Sequence, residues 1–214
     1  NDPGGLLNGA VAVSAAFLPK DALVVYTEGR TEDAKMKLNA TPEHYLRGRN
    51  QDDFLKRLPA EAKTVPMVVL VNGGSASASE ILAGALQDYG RALIVGDTST
   101  FGKGTVQSIM PLAPIMRDND LPYEFDPGAL KITIRKFYRP SGASTQLRGV
   151  SSDIVIPSNT DVSEISEAAQ KDPLPWDTVK PARFEAKNVV KPYVDTLRKQ
   201  SAERVSKEPS FTHV

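Results

Sequence analysis

The chain has 214 residues, 40% of them hydrophobic and 24% charged, with 26 basic and 26 acidic side chains. That length can bury a full core in one domain with a trailing segment, and a formal net charge of zero gives no electrostatic footprint for nucleic acid or an anionic membrane. No apolar run is long enough to span a bilayer and no signal-peptide pattern opens the chain; with no cysteine and only two histidines, His44 and His213, metal ligands are scarce and no cofactor is expected.

Residues 1–5, Asn-Asp-Pro-Gly-Gly, are turn chemistry, and the Ala/Val-rich stretch 6–18 has helical periodicity. A strand is predicted over 22–27. Residues 28–63 are polar and charged, and read as a mobile surface insertion with helical fragments near 42–49 and 52–58. Residues 67–71, Met-Val-Val-Leu-Val, form an unbroken apolar, largely β-branched run that suits a strand buried on both faces. The next eight residues, 72–79, are all small, so the backbone can turn sharply and a second molecule can approach closely. Ile81, Leu82, Ala85 and Leu86 then recur at helical spacing until Gly90.

A short strand over 91–95, a glycine-containing loop that carries Lys103, and a third strand over 105–110 complete an α/β unit. Residues 113–127 read as a loop, and residues 129–138 alternate apolar and polar as a strand with one wet face. Residues 153–157 close the sheet-forming part. The expected division is a core over 1–157 and a C-terminal helical extension over 158–214, in which Pro192 breaks a charged segment of weak helical periodicity and Trp176 anchors against the core.

Three serines in the turn are candidate nucleophiles, but a Ser-His-Asp arrangement would have to recruit one of two histidines from polar stretches far from this region. A lysine in a dry pocket is the remaining common base, since desolvation lowers a lysine pKa towards neutrality. Two other readings stand beside this one. Ser77-Ala78-Ser79-Glu80 fits a capping box, and Lys103 in Gly-Lys-Gly fits an ordinary turn. A phosphate loop does not fit, because Asp97 and Gly104 stand where it needs glycine and Ser or Thr.

The stretch Val-Leu-Val-Asn-Gly-Gly-Ser-Ala-Ser-Ala-Ser-Glu-Ile-Leu-Ala-Gly-Ala-Leu-Gln-Asp (69–88), followed by Thr-Phe-Gly-Lys-Gly-Thr-Val-Gln (100–107), resembles the carboxy-terminal processing, or tail-specific, serine peptidases. The resemblance implies an α/β core sheet flanked by helices, of the crotonase and Clp-peptidase kind. It implies that Ser77 is the nucleophile, Lys103 the general base and Gln107 the residue that orients the lysine. The oxyanion hole would be formed by the Ala78 N–H and by Gly4 or Gly5, from an Asn-x-Pro-Gly-Gly turn similar to the family's. The segment over 136–150 resembles the family's structural hairpin near the site. Ser77 and Lys103 lie 26 positions apart, one more than the family's usual count, with the extra residue in 97–100.

By the same resemblance the substrate is a protein or peptide with an accessible C-terminal tail, the compartment is extracytoplasmic, in the periplasm, and a PDZ domain and at least one strand precede Asn1 in the parent protein. A homo-oligomer is compatible with it. The rival expectation is a catalytically silent scaffold of the same fold that binds peptides or assembles through the small-residue groove.

Overall fold

The structure is a computed structural model that describes residues 1–46, 52–119 and 124–211. In chain order its elements are α1 (Leu7–Phe17), β1 (Leu23–Glu28), β2 (Met36–Asn39), α2 (Pro42–Tyr45), β3 (Val68–Val71), α3 (Ala78–Asp88), β4 (Leu93–Gly96), β5 (Thr105–Pro111), α4 (Leu112–Asp118), β6 (Ala129–Tyr138), β7 (Ile154–Val155), α5 (Val162–Ile165) and α6 (Val194–Lys207). Two sheets result. One is antiparallel in the order β2-β1-β6-β5, and the other is parallel in the order β3-β4-β7.

Helix α3 crosses over from β3 to β4, as a parallel pair requires, and is buried by both sheets. Its Ile81, Ala85 and Leu86 pack with Val11, Ala15 and Leu18 around α1, with Val24 and Val25 of β1, and with Phe137 of β6. Ala83, on another side of the same helix, packs on Val71, Ile94 and Val150. The N-terminus of α3 is therefore fixed between the two sheets, and the turn before it is placed by the main core.

The expected core elements form within a residue or two of the predicted positions, and β6 has the predicted limits, Ala129–Tyr138. Four expectations are corrected. First, β3 is not buried on both faces: Val68 is 55% exposed and Leu70 76% exposed. Helix α6 lays Val194 and Leu197 on Leu93, Val95 and Ile154, which covers β4 and β7 but not β3.

Second, the polar insertion is tied down. β2 pairs with β1, the buried Tyr45 hydroxyl donates to Asp53, and Lys63 Nζ donates to the carbonyl oxygens of Ala15 and Leu18. Part of the fragment predicted near 42–49 lies outside the described residues. Third, residues 112–118 are helical rather than a loop. Pro114 falls in the first turn, where a missing N–H costs nothing, and Leu112 N donates to Gly128 O.

Fourth, the C-terminal extension is helical mainly in α6, which begins just after Pro192 instead of being broken by it. Before α6 the chain runs irregularly across the core, with Val179 N donating to Gly142 O and Lys187 N to Tyr89 O. Trp176 is an anchor here: its Nε1 donates to Ser144 O, and the Arg148 guanidinium lies 3.6 Å from the ring centre. No helix among the described residues is long and apolar enough to cross a membrane.

Candidate active site

The small-residue turn between β3 and α3 is held by its own polar groups. Gly73 N donates to the buried Asp97 carboxylate at 2.8 Å, Asn72 N to Ser75 Oγ at 3.2 Å, and Ala76 N to Asp2 O at 3.0 Å. At its end Ser77 adopts φ 57° and ψ −112°, a backbone conformation costly for any residue with a Cβ. A sharp strand-to-helix elbow that carries a serine lifts that hydroxyl out of the turn, which is the use nucleophile elbows make of such strain.

Glu80 is fully buried, and its carboxylate accepts four hydrogen bonds. Oε2 takes the N–H of Ser77 at 2.7 Å and that of Lys103 at 3.0 Å; Oε1 takes the Thr100 hydroxyl at 2.6 Å and the Gly102 N–H at 2.7 Å. A single oxygen thus joins the backbone of the serine to the backbone of the lysine. Burial pushes the Glu80 carboxyl up to about 7, against the opposing pull of its four donors. The capping box read from the sequence is present, and its glutamate continues past the helix to the lysine loop, so capping and chemistry are not alternatives at this turn.

The lysine loop is clamped from its other side by the segment after β6. Thr145 Oγ1 donates to Lys103 O at 3.1 Å, and Gly104 N donates to Gln146 Oε1 at 2.8 Å. Gly104 is required by space as well, because a Cβ there would stand 2.6 Å from Gln146 N. Within 97–100, where the resemblance puts the extra residue, Thr98 is exposed. On either side of it, Ser152 Oγ donates to Asp97 O and Val150 N to Thr100 Oγ1.

Ser77, Ala78, Lys103 and Gln107 line one cavity of about 390 Å³, together with Gly5, Leu6, Leu7, Ile81, Thr105, Val106, Ile109, Lys131 and Phe137. Among the described residues Lys103 Nζ makes no hydrogen bond to Ser77 Oγ, and the exposed Gln107 makes none to Lys103. The Ala78 N–H, at the positive end of α3, has no partner among the described residues. Gly4 packs against this turn so closely that a Cβ would fall 2.7 Å from Ala78 N, but its own N–H is held by Asp2 Oδ1 at 2.9 Å. Gly5 lines the cavity itself.

Of the three serines, Ser75 is buried in the turn and Ser79 lines a separate hollow beside α1, so Ser77 alone shares the cavity with Lys103. Ser75→Ala is expected to lower stability by about 1 kcal/mol and activity by less than tenfold, because it removes a turn hydrogen bond and no reacting group. Urea melts and a peptide-cleavage assay read the two effects separately. His44 Nδ1 accepts from Asn39 N at the β2–α2 corner, away from this cavity, and His213 lies outside the described residues.

Sequence reading missed the supporting groups Asp2, Thr100, Thr145 and Gln146, and took Glu80 for a capping-box glutamate with a structural role only. A capping glutamate is visible in the sequence, but a bond it makes to a loop 23 positions away is not. Asp88, at the other end of α3, accepts from Arg139 and from Ser141 N at 2.9 Å, and so ties the helix to the segment after β6. No group of three His, Cys, Asp or Glu side chains among the described residues could hold a metal ion.

Comparison with known proteins gives the following matches. Residues 1–156 match Peptidase family S41, and residues 160–214 match the C-terminal domain of tail specific protease. The chain is 42% identical over 155 residues to the Carboxy-terminal-processing protease of Bartonella bacilliformis, covering 72% of this chain and 29% of that protein. It is 36% identical over 211 residues to the Tail-specific protease of Haemophilus influenzae, covering 97% of this chain and 27% of that one. Among solved structures, the photosystem II D1 C-terminal processing protease superposes with a TM-score of 0.50 at 29% identity, over 72% of this chain and 32% of that chain. The chain thus spans less than a third of the length of each of these three relatives.

Proposed function

The chain belongs to peptidase family S41, and on that premise we propose that it is the catalytic core of a serine endopeptidase with a Ser77–Lys103 dyad that cleaves proteins near their C-terminal tails. The observation that carries the reading is the pair of backbone bonds from Ser77 and Lys103 to one Glu80 oxygen, with both residues lining one cavity.

In the proposed reaction Lys103, in its amine form, takes the proton of Ser77 Oγ as that oxygen attacks the scissile carbonyl carbon. The oxyanion of the tetrahedral intermediate accepts from the N–H of Ala78 and from that of Gly5. Gly5 is preferred to Gly4 because the Gly4 N–H is already engaged by Asp2, while the lack of a Cβ at Gly4 lets the turn approach. The Lys103 ammonium returns the proton to the leaving amine. Water then attacks the acyl-serine with Lys103 again as base, and Ser77 leaves with its proton restored. Gln107 orients the lysine amine once substrate closes the cavity. The apolar walls, Leu6, Leu7, Ile81, Val106 and Phe137, suit an apolar residue beside the scissile bond.

The names of the matched relatives support a protein tail as substrate, and their greater length leaves room for a separate peptide-binding domain, such as the PDZ domain the resemblance implies, in the parent protein. The test is labelling of the complete protein with a serine-directed fluorophosphonate, located by peptide mapping. Modification at Ser77, lost in Lys103→Met, supports the dyad. A protein that cleaves no tail peptide and leaves Ser77 unlabelled is instead a silent scaffold that binds peptides in the same groove.

A further inference from the structure

The cavity that holds Ser77 has an uneven charge lining. Among the described residues its ionisable lining side chains are Lys103 and Lys131, and no carboxylate lines it; Glu80 is buried in the turn and engaged with four donors. Lys103 has a place in the proposed chemistry. Lys131 has none, and among the described residues its ammonium makes no ion pair and no hydrogen bond.

Its position on the sheet is defined. Lys131 stands on β6 directly opposite Ile109 of β5, and residues directly opposite each other on neighbouring strands present their side chains on the same face. β5 begins two residues after Lys103 and is the outer strand of the antiparallel sheet, and among the described residues its backbone pairs only with β6. An extended peptide whose scissile bond lies at Ser77 has this open edge to run beside. From Thr105 to Ile109 the strand advances about 14 Å. The flexible Lys131 stem shortens that span, so its ammonium meets an extended chain about two to four residues from the scissile bond.

We propose that Lys131 is a specificity-determining residue that pairs with a carboxylate of the substrate two to four residues from the bond that is cut. The inference rests on the peptidase reading of the same cavity and adds the charge of the substrate that the cavity selects. The carboxylate has two sources, the free C-terminus of the tail or an acidic side chain near it. Both offer the same chemistry to an ammonium that no acid among the described residues pairs with.

The test uses the complete protein and a fluorescent peptide of one sequence in three forms: a free acid ending three residues past an apolar cleavage position, its C-terminal amide, and the amide with glutamate at the last position. Affinity is read by anisotropy on the Ser77→Ala protein, which needs no turnover, and cleavage is read on the protein with Ser77 intact. Lys131→Met is expected to weaken binding of the acid about fivefold, the size of a partly exposed ion pair, and to raise KM rather than lower kcat. The amide should bind both proteins equally, and added salt should erase the preference for the acid. If the glutamate amide regains the lost affinity, any nearby acid serves; if it does not, the free C-terminus is the ligand.

An acid-to-amide ratio unchanged by both Lys131→Met and Lys131→Glu overturns the role of Lys131 while leaving the peptidase intact. Conversely, a ratio that depends on Lys131, in a protein that cleaves none of the peptides, upholds the carboxylate site and sinks the peptidase reading.

Discussion

Ser77→Ala and Lys103→Arg are each expected to abolish peptide cleavage, with kcat/KM falling by about 10⁴-fold or more, as when one member of a nucleophile–base pair is removed. The arginine variant keeps the charge and nearly the reach of lysine, but its guanidinium does not give up a proton, so it separates a base from a mere cation. Both proteins should remain folded, because each backbone N–H still meets Glu80. Ser77→Gly should be just as inactive, yet more stable than Ser77→Ala by about 1–3 kcal/mol, since glycine relieves the positive φ at the elbow. Steady-state assays and urea melts of the variants check both halves. Cleavage by Lys103→Arg would mean that the base lies elsewhere.

The second large effect is expected at Glu80. Glu80→Gln leaves one acceptor oxygen where two are used and turns an NH₂ group towards donors, so two of the four hydrogen bonds are lost. With the tie between the serine and lysine backbones loosened, kcat/KM should fall about 10²-fold, the scale of a small misplacement at a reacting centre.

The pH dependence gives a separate signature. The folded-state value of about 7 is above the ordinary carboxyl value of 4.5, so between the two the folded protein holds more protons than the unfolded chain. Glu80 therefore adds stability below about pH 4.5 that is lost as pH rises towards 7, up to about 3 kcal/mol in all. Glutamine does not titrate. The difference in unfolding free energy between wild type and Glu80→Gln should shrink as pH rises from 4.5 to 7 and stay constant above it, as urea melts at several pH values will show. A difference independent of pH would mean that Glu80 is ionised throughout that range.

These effects mark the boundary of what the residues told on their own. The order of strand, small-residue turn and helix over 67–90 is local chemistry, set by an apolar run, a glycine pair and helical spacing, and it formed where predicted. So did the alternation that made β6. The joining of the Ser77 turn to Lys103 through Glu80, of Lys103 to Thr145, and of Gly104 to Gln146, is made through space across 23 to 42 positions, where no periodicity operates. The same limit explains β3. Five consecutive apolar residues indicate a strand, but whether both of its faces are covered depends on where α6 lies, and that is decided more than a hundred residues later. The start of the stretch 113–127 failed for a different reason: its proline and acid residues indicate a loop, but Pro114 lies in the one turn of a helix that accepts it.

The uncovered side of β3 affects how the molecule behaves in concentrated solution. Val68 and Leu70 are exposed on an outer strand of the parallel sheet, and among the described residues the backbone of that strand pairs on one side only, with β4. A short, uncharged, β-branched edge is a template for the same edge of another copy, and its four residues, Val-Val-Leu-Val, contain no lysine or proline to act as a gatekeeper. Precipitation of these 214 residues should thus begin at β3 rather than at the charged face of α6, and Leu70→Lys should raise the concentration at which the solution clouds without touching the turn that carries Ser77.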